Sequence, residues 1–352
     1  MTTTVESHTH SAQYSSDGTT WTEFGAYVEH FETHDSITAD RSTVSISCYE
    51  YPAGLAEDDY LVCYIDGVTV FNGHVARPGL HYFGNSVIIE GESVMANLTN
   101  PWGGEGTDPE LDALFNRVYE NELVSDIITN YCEAMAVPVS LHDIAVSTWT
   151  LGTIYPVTLR VGEAPINHIR EWDEIEGCWT ATRKNGAITR RTLAYAGSPD
   201  FTATEGTNII SADRTPRGTE SIVNRWIIYG FEYEGAAIGG LGVGDYALTN
   251  ANIPDPPKSR TKTIRSNFVE TNADAIAFAT AGVDRTNFPY DETNMVLLGD
   301  TSIDIGQTCR IDSAALDHDG TSAADRFVAE AVQAYGVGVG YETRIKCIRV
   351  ET

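Results

Sequence analysis

The stretch from Tyr60 to Val75 narrows the choice of fold more than any other. Tyr60-Leu-Val-Cys-Tyr-Ile65 and Val68-Thr-Val-Phe-Asn-Gly-His-Val75 are β-branched and aromatic runs, and Asp66-Gly67 stands between them. That pair tolerates positive φ at both centres of a type I′ turn, so the runs fold back on each other as antiparallel strands. Leu61, Cys63 and Ile65 fall on one face and Val62 and Tyr64 on the other. A hairpin apolar on both faces is covered on both. Gly73, late in the return strand, suits a bulge or a corner where a small barrel bends.

The charge balance says what surrounds the fold. Fifty acidic against 22 basic residues leave a net charge of −28, and only Lys184, Lys258, Lys262 and Lys346 are lysine. The carboxylates run from Glu6 to Glu351 without clustering, as on a solvated acidic surface in a salty medium that screens it, such as a halophile's cytoplasm. A Lys/Arg footprint for nucleic acid is disfavoured. The N-terminus has neither the basic nor the apolar part of a signal peptide, and no run of eighteen apolar residues occurs, so the chain is expected to be soluble and to stay where it is made. The six cysteines have no Cys-x-x-Cys spacing, sit mostly in apolar runs and read as core residues of a reducing compartment.

Three segments emerge along the chain. Residues 1–100 read as a first β-barrel domain, with Ser42–Tyr49 alternating so that Val44, Ile46 and Cys48 share a face, and Ser86–Glu90 as a further strand. Residues 101–200 read as mixed α/β. Asp108-Pro109-Glu110 caps a helix through Val118, a second starts at Ser125, and a third spans Pro165 to Glu176, followed by a hairpin at Asn185-Gly186. Residues 201–352 read as a second barrel with strands at 221–229, 308–311, 326–332 and 342–350. Within it lie a Gly/Pro-rich loop at 235–257 and an inserted helix at 272–281 that closes on Gly282 as its C′ residue. Cys63-Tyr-Ile-Asp66 and Cys309-Arg-Ile-Asp312 share Cys-x-Ile-Asp, which suggests that the two ends are copies of one barrel. The fold class is mainly β, two similar small antiparallel barrels around an α+β middle.

Chemistry-bearing residues are many, and their spacing is wrong for a site. His30-Phe-Glu-Thr-His34 has two imidazoles but lacks the His-Glu-x-x-His order, so an exposed strand or turn is expected. His8 and His10 lie in a polar tail. Asp317-His-Asp-Gly320 lacks the later ligands of a calcium loop and reads as a turn between strands. Gly240-Leu-Gly-Val-Gly244 leads into prolines rather than a capped helix, and cradles no phosphate. No nucleophile elbow and no P-loop occurs, and no catalytic, cofactor or metal residue is assigned.

The order of elements resembles the tail hub proteins of tailed phages. The first domain is carried by Tyr64-Ile-Asp-Gly67, Val70-Phe-Asn-Gly-His-Val75 and Val87-Ile-Ile-Glu-Gly-Glu-Ser93. The middle is carried by Ile127–Met135, Glu163–Trp172 and Trp179–Ile188, and the close by Asn224-Arg-Trp-Ile-Ile-Tyr-Gly230, Ile305–Ile311 and Tyr341–Ile348. The resemblance implies a non-enzymatic homotrimer in the virion tail, assembled in the host cytoplasm. Three copies of two like barrels would give a pseudo-sixfold collar between a sixfold tube and a threefold tip, lining the genome-ejection channel. It implies as partners a tail tube protein, a distal tail protein, tip or fibre proteins and a tape measure protein, with DNA only in transit. The acidity and the 235–257 loop depart from the pattern; the acidity points to a virus of a halophilic archaeon. A hub-like effector spike would carry a β-helical needle, which is not expected after the last barrel. A carbohydrate-binding module or glycosidase built from β-domains is the competing reading, to be recognised by exposed aromatics and two carboxylates in a cleft.

Overall fold

The computed structural model describes residues 8–350 except 25–27, 82–86, 100–116, 136, 155, 161, 193–197, 217–221, 231–242, 248–259, 287–290, 321–325 and 338–339. The chain opens with β1 (His10–Ser15), β2 (Thr22–Glu23), β3 (Val28–Ser36), β4 (Thr43–Cys48), β5 (Tyr60–Ile65), β6 (Val68–His81) and β7 (Val87–Glu92). A mixed segment follows with β8 (Glu122–Leu123), α1 (Val124–Ala134), β9 (His142–Ile144), β10 (Thr150–Leu151), α2 (Pro165–Glu176), β11 (Cys178–Thr182) and β12 (Ile188–Thr192). Then come β13 (Phe201–Thr204), β14 (Ile209–Pro216), β15 (Arg225–Tyr229), β16 (Val243–Ala247), β17 (Thr261–Arg265) and α3 (Asn272–Thr286). The chain closes with β18 (Asp291–Leu298), β19 (Thr308–Ser313), β20 (His318–Asp319), β21 (Arg326–Val337) and β22 (Gly340–Arg349). The protein is mainly β with an α+β middle.

The hairpin forms as its sequence dictates. Asp66 and Gly67 both take positive φ, 50° and 76°, and β5 pairs with β6 in antiparallel register. Leu61, Val62, Cys63 and Ile65 are all buried, so both faces are covered. Gly73 has another purpose than the expected bend. A Cβ there would lie 2.2 Å from the carbonyl oxygen of Glu92, so the glycine permits the close approach of β6 to β7.

Two rolled sheets of like design hold the two ends of the chain. In the first the order is β3-β4-β7-β6-β5-β1, and in the second β14-β18-β22-β21-β19-β13. The likeness extends to register. Tyr60, His74, Glu92, Thr43 and His34 form one row across β5, β6, β7, β4 and β3. Its counterpart is Thr308, Val328, Ile348, Glu292 and Thr215 across β19, β21, β22, β18 and β14. Bulges recur at matching positions, between Val75 and Arg77 as between Ala329 and Ala331, and between Val28 and His30 as between Ile209 and Ser211. The first strands differ, because β1 runs antiparallel to β5 and β13 parallel to β19. The rows also correct the Cys-x-Ile-Asp echo. Cys309 falls in the row of Leu61, and Cys63 in that of Ile311, so the motifs are two residues out of step within strands that do correspond.

The two sheets are fused. β21 pairs with β3 from Ala331–Ser36 to Val337–His30, which makes a single 14-stranded sheet of both ends. Each end keeps its own apolar cluster, Phe31, Ile46, Leu61, Phe71 and Ile89 in the first and Leu297, Ile305, Ile311, Phe327 and Ile345 in the second.

A third cluster fills the middle. α1 and α2 contribute Ile127, Ile128, Tyr131, Ile169 and Trp172, and they meet Trp226, Ile228, Val269, Ala279 and Val283 from residues beyond 201. Pro165 opens α2 where no amide donor is needed, and Gly177 at φ 71° closes it with its N–H on the Asp173 carbonyl. α3 runs past the expected end at 281. Gly282 lies inside the helix because the Trp226 ring sits 2.3 Å from where a Cβ would stand. The segment read as one loop over 235–257 contains β16, which pairs with β15, and its remainder lies outside the described residues; so does the helix expected from Asp108 through Val118 as far as residue 116, while Arg117 and Val118 are not helical.

Gly73 and Gly67 separate two kinds of glycine requirement. Gly73→Ala forces β6 from β7 and should cost about 2–4 kcal/mol, whereas Gly67→Ala meets nothing within 4 Å and should cost only about 1 kcal/mol of backbone strain. Urea unfolding of the two variants checks the order; equal losses would mean that contact with Glu92 is not what Gly73 provides.

Candidate functional site

The joint between the two rolled sheets is where chemistry-bearing residues gather. On β3 the alternation of a strand sends His30, Glu32 and His34 to one face and Phe31, Thr33 and Asp35 to the other. The first set faces a surface hollowed on both sides of β3. One hollow of about 500 Å³ is lined by His34, Asp213, Asn294, Gln333, Arg344 and Lys346, among others. A second of about 620 Å³ is lined by Glu32, His34, Arg41, Arg77, Glu90 and Glu92 among its residues. Cations here lie against carboxylates: Arg41–Glu92 at 2.6 Å, Arg77–Glu90 at 3.5 Å and Lys346–Glu330 at 2.7 Å. Glu32 accepts a hydrogen bond from Gln333, and the His30 ring lies 6.4 Å from that of Tyr335.

Beneath this face the joint is buried. Asp35 is 3% exposed, and its Oδ1 has no hydrogen-bond partner. Burial pushes its carboxyl up to about 8, with Asp304 adding to the shift and Ser42 and Lys184 opposing it. The middle unit clamps the same place. Arg170 of α2 reaches Asp40 at 3.1 Å and donates to the carbonyls of Thr180 and Ala39, while the Ser42 hydroxyl donates to the carbonyl of Thr182 at 3.0 Å.

The middle unit holds two polar groupings that the sequence did not advertise. Arg190, 1% exposed, meets Asp173 at 2.9 Å and Glu176 at 2.6 Å, and Ser147 donates to Glu176. The Tyr131 hydroxyl lies 3.0 Å from His168 Nδ1, and His168 Nε2 lies 3.5 Å from Glu163 at the edge of a 490 Å³ hollow. Burial holds the Tyr131 phenol well above its ordinary value, and burial lowers that of His168 against the pull of Glu163. The phenol keeps its proton, and the pair cross-links α1 to α2. Helical spacing marks Tyr131 as a core position and gives no sign of the partners it and Arg190 find.

The remaining sequence candidates are scattered. Asp317 takes φ 59° and is fully exposed in a turn, and Asp319 pairs with Asp312 in a short strand. The polar-tail reading of His8 and His10 fails. His8 Nδ1 lies 2.6 Å from the Asp66 carboxylate, and the His10 ring lies edge-on to Phe31. Gly244 pairs with Ile228 within β16, and Gly240 is outside the described residues. Among the described residues no group of three His, Cys, Asp or Glu could hold a metal ion, and no helix is long and apolar enough to cross a membrane. All six cysteines are free.

Asp35 makes stability depend on pH. Its folded-state value lies above its unfolded one, so its contribution is complete below pH of about 4 and is lost as pH rises through about 8. Asp35→Asn should therefore flatten the fall in melting temperature between pH of about 5 and 9, and should be more stable than the parent at pH of about 8. Identical pH profiles of the two proteins would contradict this.

Neither a family model nor a curated protein matches the sequence. Solved structures do match the fold over nearly its whole length. The 43 kDa tail protein of prophage MuSo2 from Shewanella oneidensis aligns at TM-score 0.68 and 12% identity, covering 97% of this chain and 98% of that one. The tail protein from Neisseria meningitidis MC58 aligns at 0.67 and 11%, covering 97% and 96%. A type VI secretion component, the E. coli c3393 protein, described as structurally similar to phage T4 tail proteins gp27 and gp5, aligns at 0.54 and 11%, covering 92% and 73%. With a strand lattice repeated in one chain and an α+β unit between its copies, this protein has the fold of phage tail proteins.

Proposed function

We propose that this chain is a structural tail protein, a hub that forms a homotrimeric ring and adapts a sixfold tail tube to a threefold tip. The observation that carries the reading is the repeated lattice. Two sheets of the same strand order, with one matching row across five strands and two bulges in common, are fused edge to edge in one chain and offer six like surfaces from three copies. The tail tube and distal tail proteins would meet those surfaces, and tip or fibre proteins the threefold side.

The hollowed face beside β3 then serves as the wall of the ejection channel. Its ion-paired cations leave little positive charge to grip phosphates, so DNA would pass without being held. The virion is the place of action. The glycosidase reading gains nothing from these carboxylates, since Glu32 is engaged with Gln333, Asp317 is exposed in a turn and Asp319 lies in a short strand against Asp312.

Native mass measurement in molar salt should give a trimer. With −28 per chain, repulsion among three copies should dissociate it on transfer to about 0.1 M salt, where screening reaches further. A monomer in molar salt would overturn the reading, and an unchanged mass at low salt would overturn the electrostatic part of it.

Changing Glu32, His34, Asp317 or Asp319 to Ala should each alter stability by no more than about 1 kcal/mol. Purified protein should turn over none of a panel of polysaccharide and peptidoglycan-like substrates. Turnover abolished by one of these substitutions, with the trimer intact, would favour the enzyme reading.

A further inference from the structure

We propose that His168 is an acid-operated latch between α1 and α2: while its ring is neutral it ties the two helices together, and a second proton on the ring undoes the tie. The inference concerns the middle unit alone and stands apart from the hub reading.

The geometry fixes where each proton sits. The Tyr131 hydroxyl of α1 lies 3.0 Å from Nδ1 of His168 on α2, and Tyr131 is fully buried. Burial keeps the phenol protonated, so its O–H donates and Nδ1 is the bare nitrogen that accepts. The proton of the neutral ring is therefore on Nε2, which faces Glu163 at 3.5 Å on the rim of the 490 Å³ hollow. A second proton can enter only at Nδ1. Two donors then oppose each other where one hydrogen bond stood.

The Tyr131 proton has no second acceptor. Among the described residues the hydroxyl is bonded to His168 alone. Its ring lies edge-on to Tyr119 at 5.8 Å and stacked on Trp172 at 6.0 Å, and both neighbours bring further unmet donors: the Tyr119 hydroxyl and the Trp172 Nε1 are buried without a hydrogen-bond partner. A cage already short of acceptors cannot take up another stranded O–H without a penalty, and parting the helices to admit water is the way to relieve it.

The charges around the ring set when the latch turns. Glu163 favours the charged ring, and Arg160 of the same turn opposes it. Glu171, on the next turn of α2, holds its proton more readily than an ordinary carboxyl because it is partly buried. Arg265 of β17 and Glu270 beyond it line the hollow, Tyr131 is the titratable group that α1 sets against the ring, and Phe268 closes a further side at 5.0 Å. Burial outweighs Glu163, so the folded-state value of His168 lies below its ordinary 6.5. The stability that the tie contributes is thus complete above pH of about 6.5 and is lost as pH falls through the folded-state value. Asp35 has the opposite sign and acts on the alkaline side.

The fold confines what opens. His168 is in the first turn of α2, whereas Arg170 ties the helix to the carbonyls of Thr180 and Ala39, and Arg190 holds Asp173 and Glu176 near its end. The beginning of α2 and the facing part of α1 loosen while the seam of the two sheets stays closed.

The test is hydrogen exchange on the full chain in molar salt, expressed as protection relative to the intrinsic rate at each pH. From pH of about 7.5 to about 5, protection over 124–134 and 165–169 should fall at least about tenfold more than over β4 and β22. His168→Asn, whose Oδ1 can stand in for Nδ1 as acceptor and does not titrate, should lack this fall. Glu163→Gln should move it to lower pH, because the charge that favours a protonated ring is gone. Protection unchanged in the parent, an equal fall in His168→Asn, or a fall moved to higher pH in Glu163→Gln overturns the latch. Should His168→Asn fail to fold, ring-nitrogen NMR of the histidine-labelled parent decides: a bare Nδ1 at neutral pH that gains its proton together with the local loss of protection supports the latch, and a proton on Nδ1 at neutral pH overturns it.

Discussion

Backbone hydrogen bonds between β21 and β3 hold the architecture together, because they turn two rolled sheets into one. A side-chain interface would let the two halves rock. A ladder fixes their spacing and twist, since slipping by one residue would reverse which side chains face the core. Other features converge on this seam. Arg170 and Ser42 tie the middle unit to the loop between β3 and β4, and Asp35 is buried where the strands meet. An uncharged carboxyl suits such a place, because the cost of burying the anion outweighs what Ser42 and Lys184 return.

The surface and the interior answer to different physics. The acidic exterior depends on ions in the medium, while the three apolar clusters and the Arg190–Asp173–Glu176 grouping are closed to it. Breaking that buried triad by removing one partner would leave a desolvated charge and cost about 3–5 kcal/mol, far more than any exposed pair on the hollowed face.

Much of the fold was legible, and what was missed has physical causes. Asp66-Gly67, Asn185-Gly186 and Pro165 each fix local backbone geometry, so the elements around them fell where expected. Strand β18, Asp-Glu-Thr-Asn-Met-Val-Leu-Leu, has a weak sequence signature because only part of its inward face is apolar: Asp291 and Thr293 are buried alongside Met295 and Leu297. Local preference alone makes Gly282 a helix end, and the Trp226 ring that requires a glycine there is 56 positions away. The spacing of His30 and His34 reads as an exposed strand or turn rather than a zinc site, and β3 carries both on one face, beside Tyr335 and Gln333. The hollowed face and the seam were invisible, since they are made by strands about 300 residues apart.

That separation sets a timetable for the growing chain. β3 emerges from the ribosome early and can pair with β4 at once, yet the strand that completes its other side is among the last to be made. Within the second sheet, β14 must likewise await β18 across the whole of α3 and its sheet. Late closure of long loops is the slow part of folding for a topology of this kind. The first sheet therefore has to survive as a half-finished template during translation. Its own apolar cluster, complete apart from Ala334 and Tyr341, gives it the means to do so.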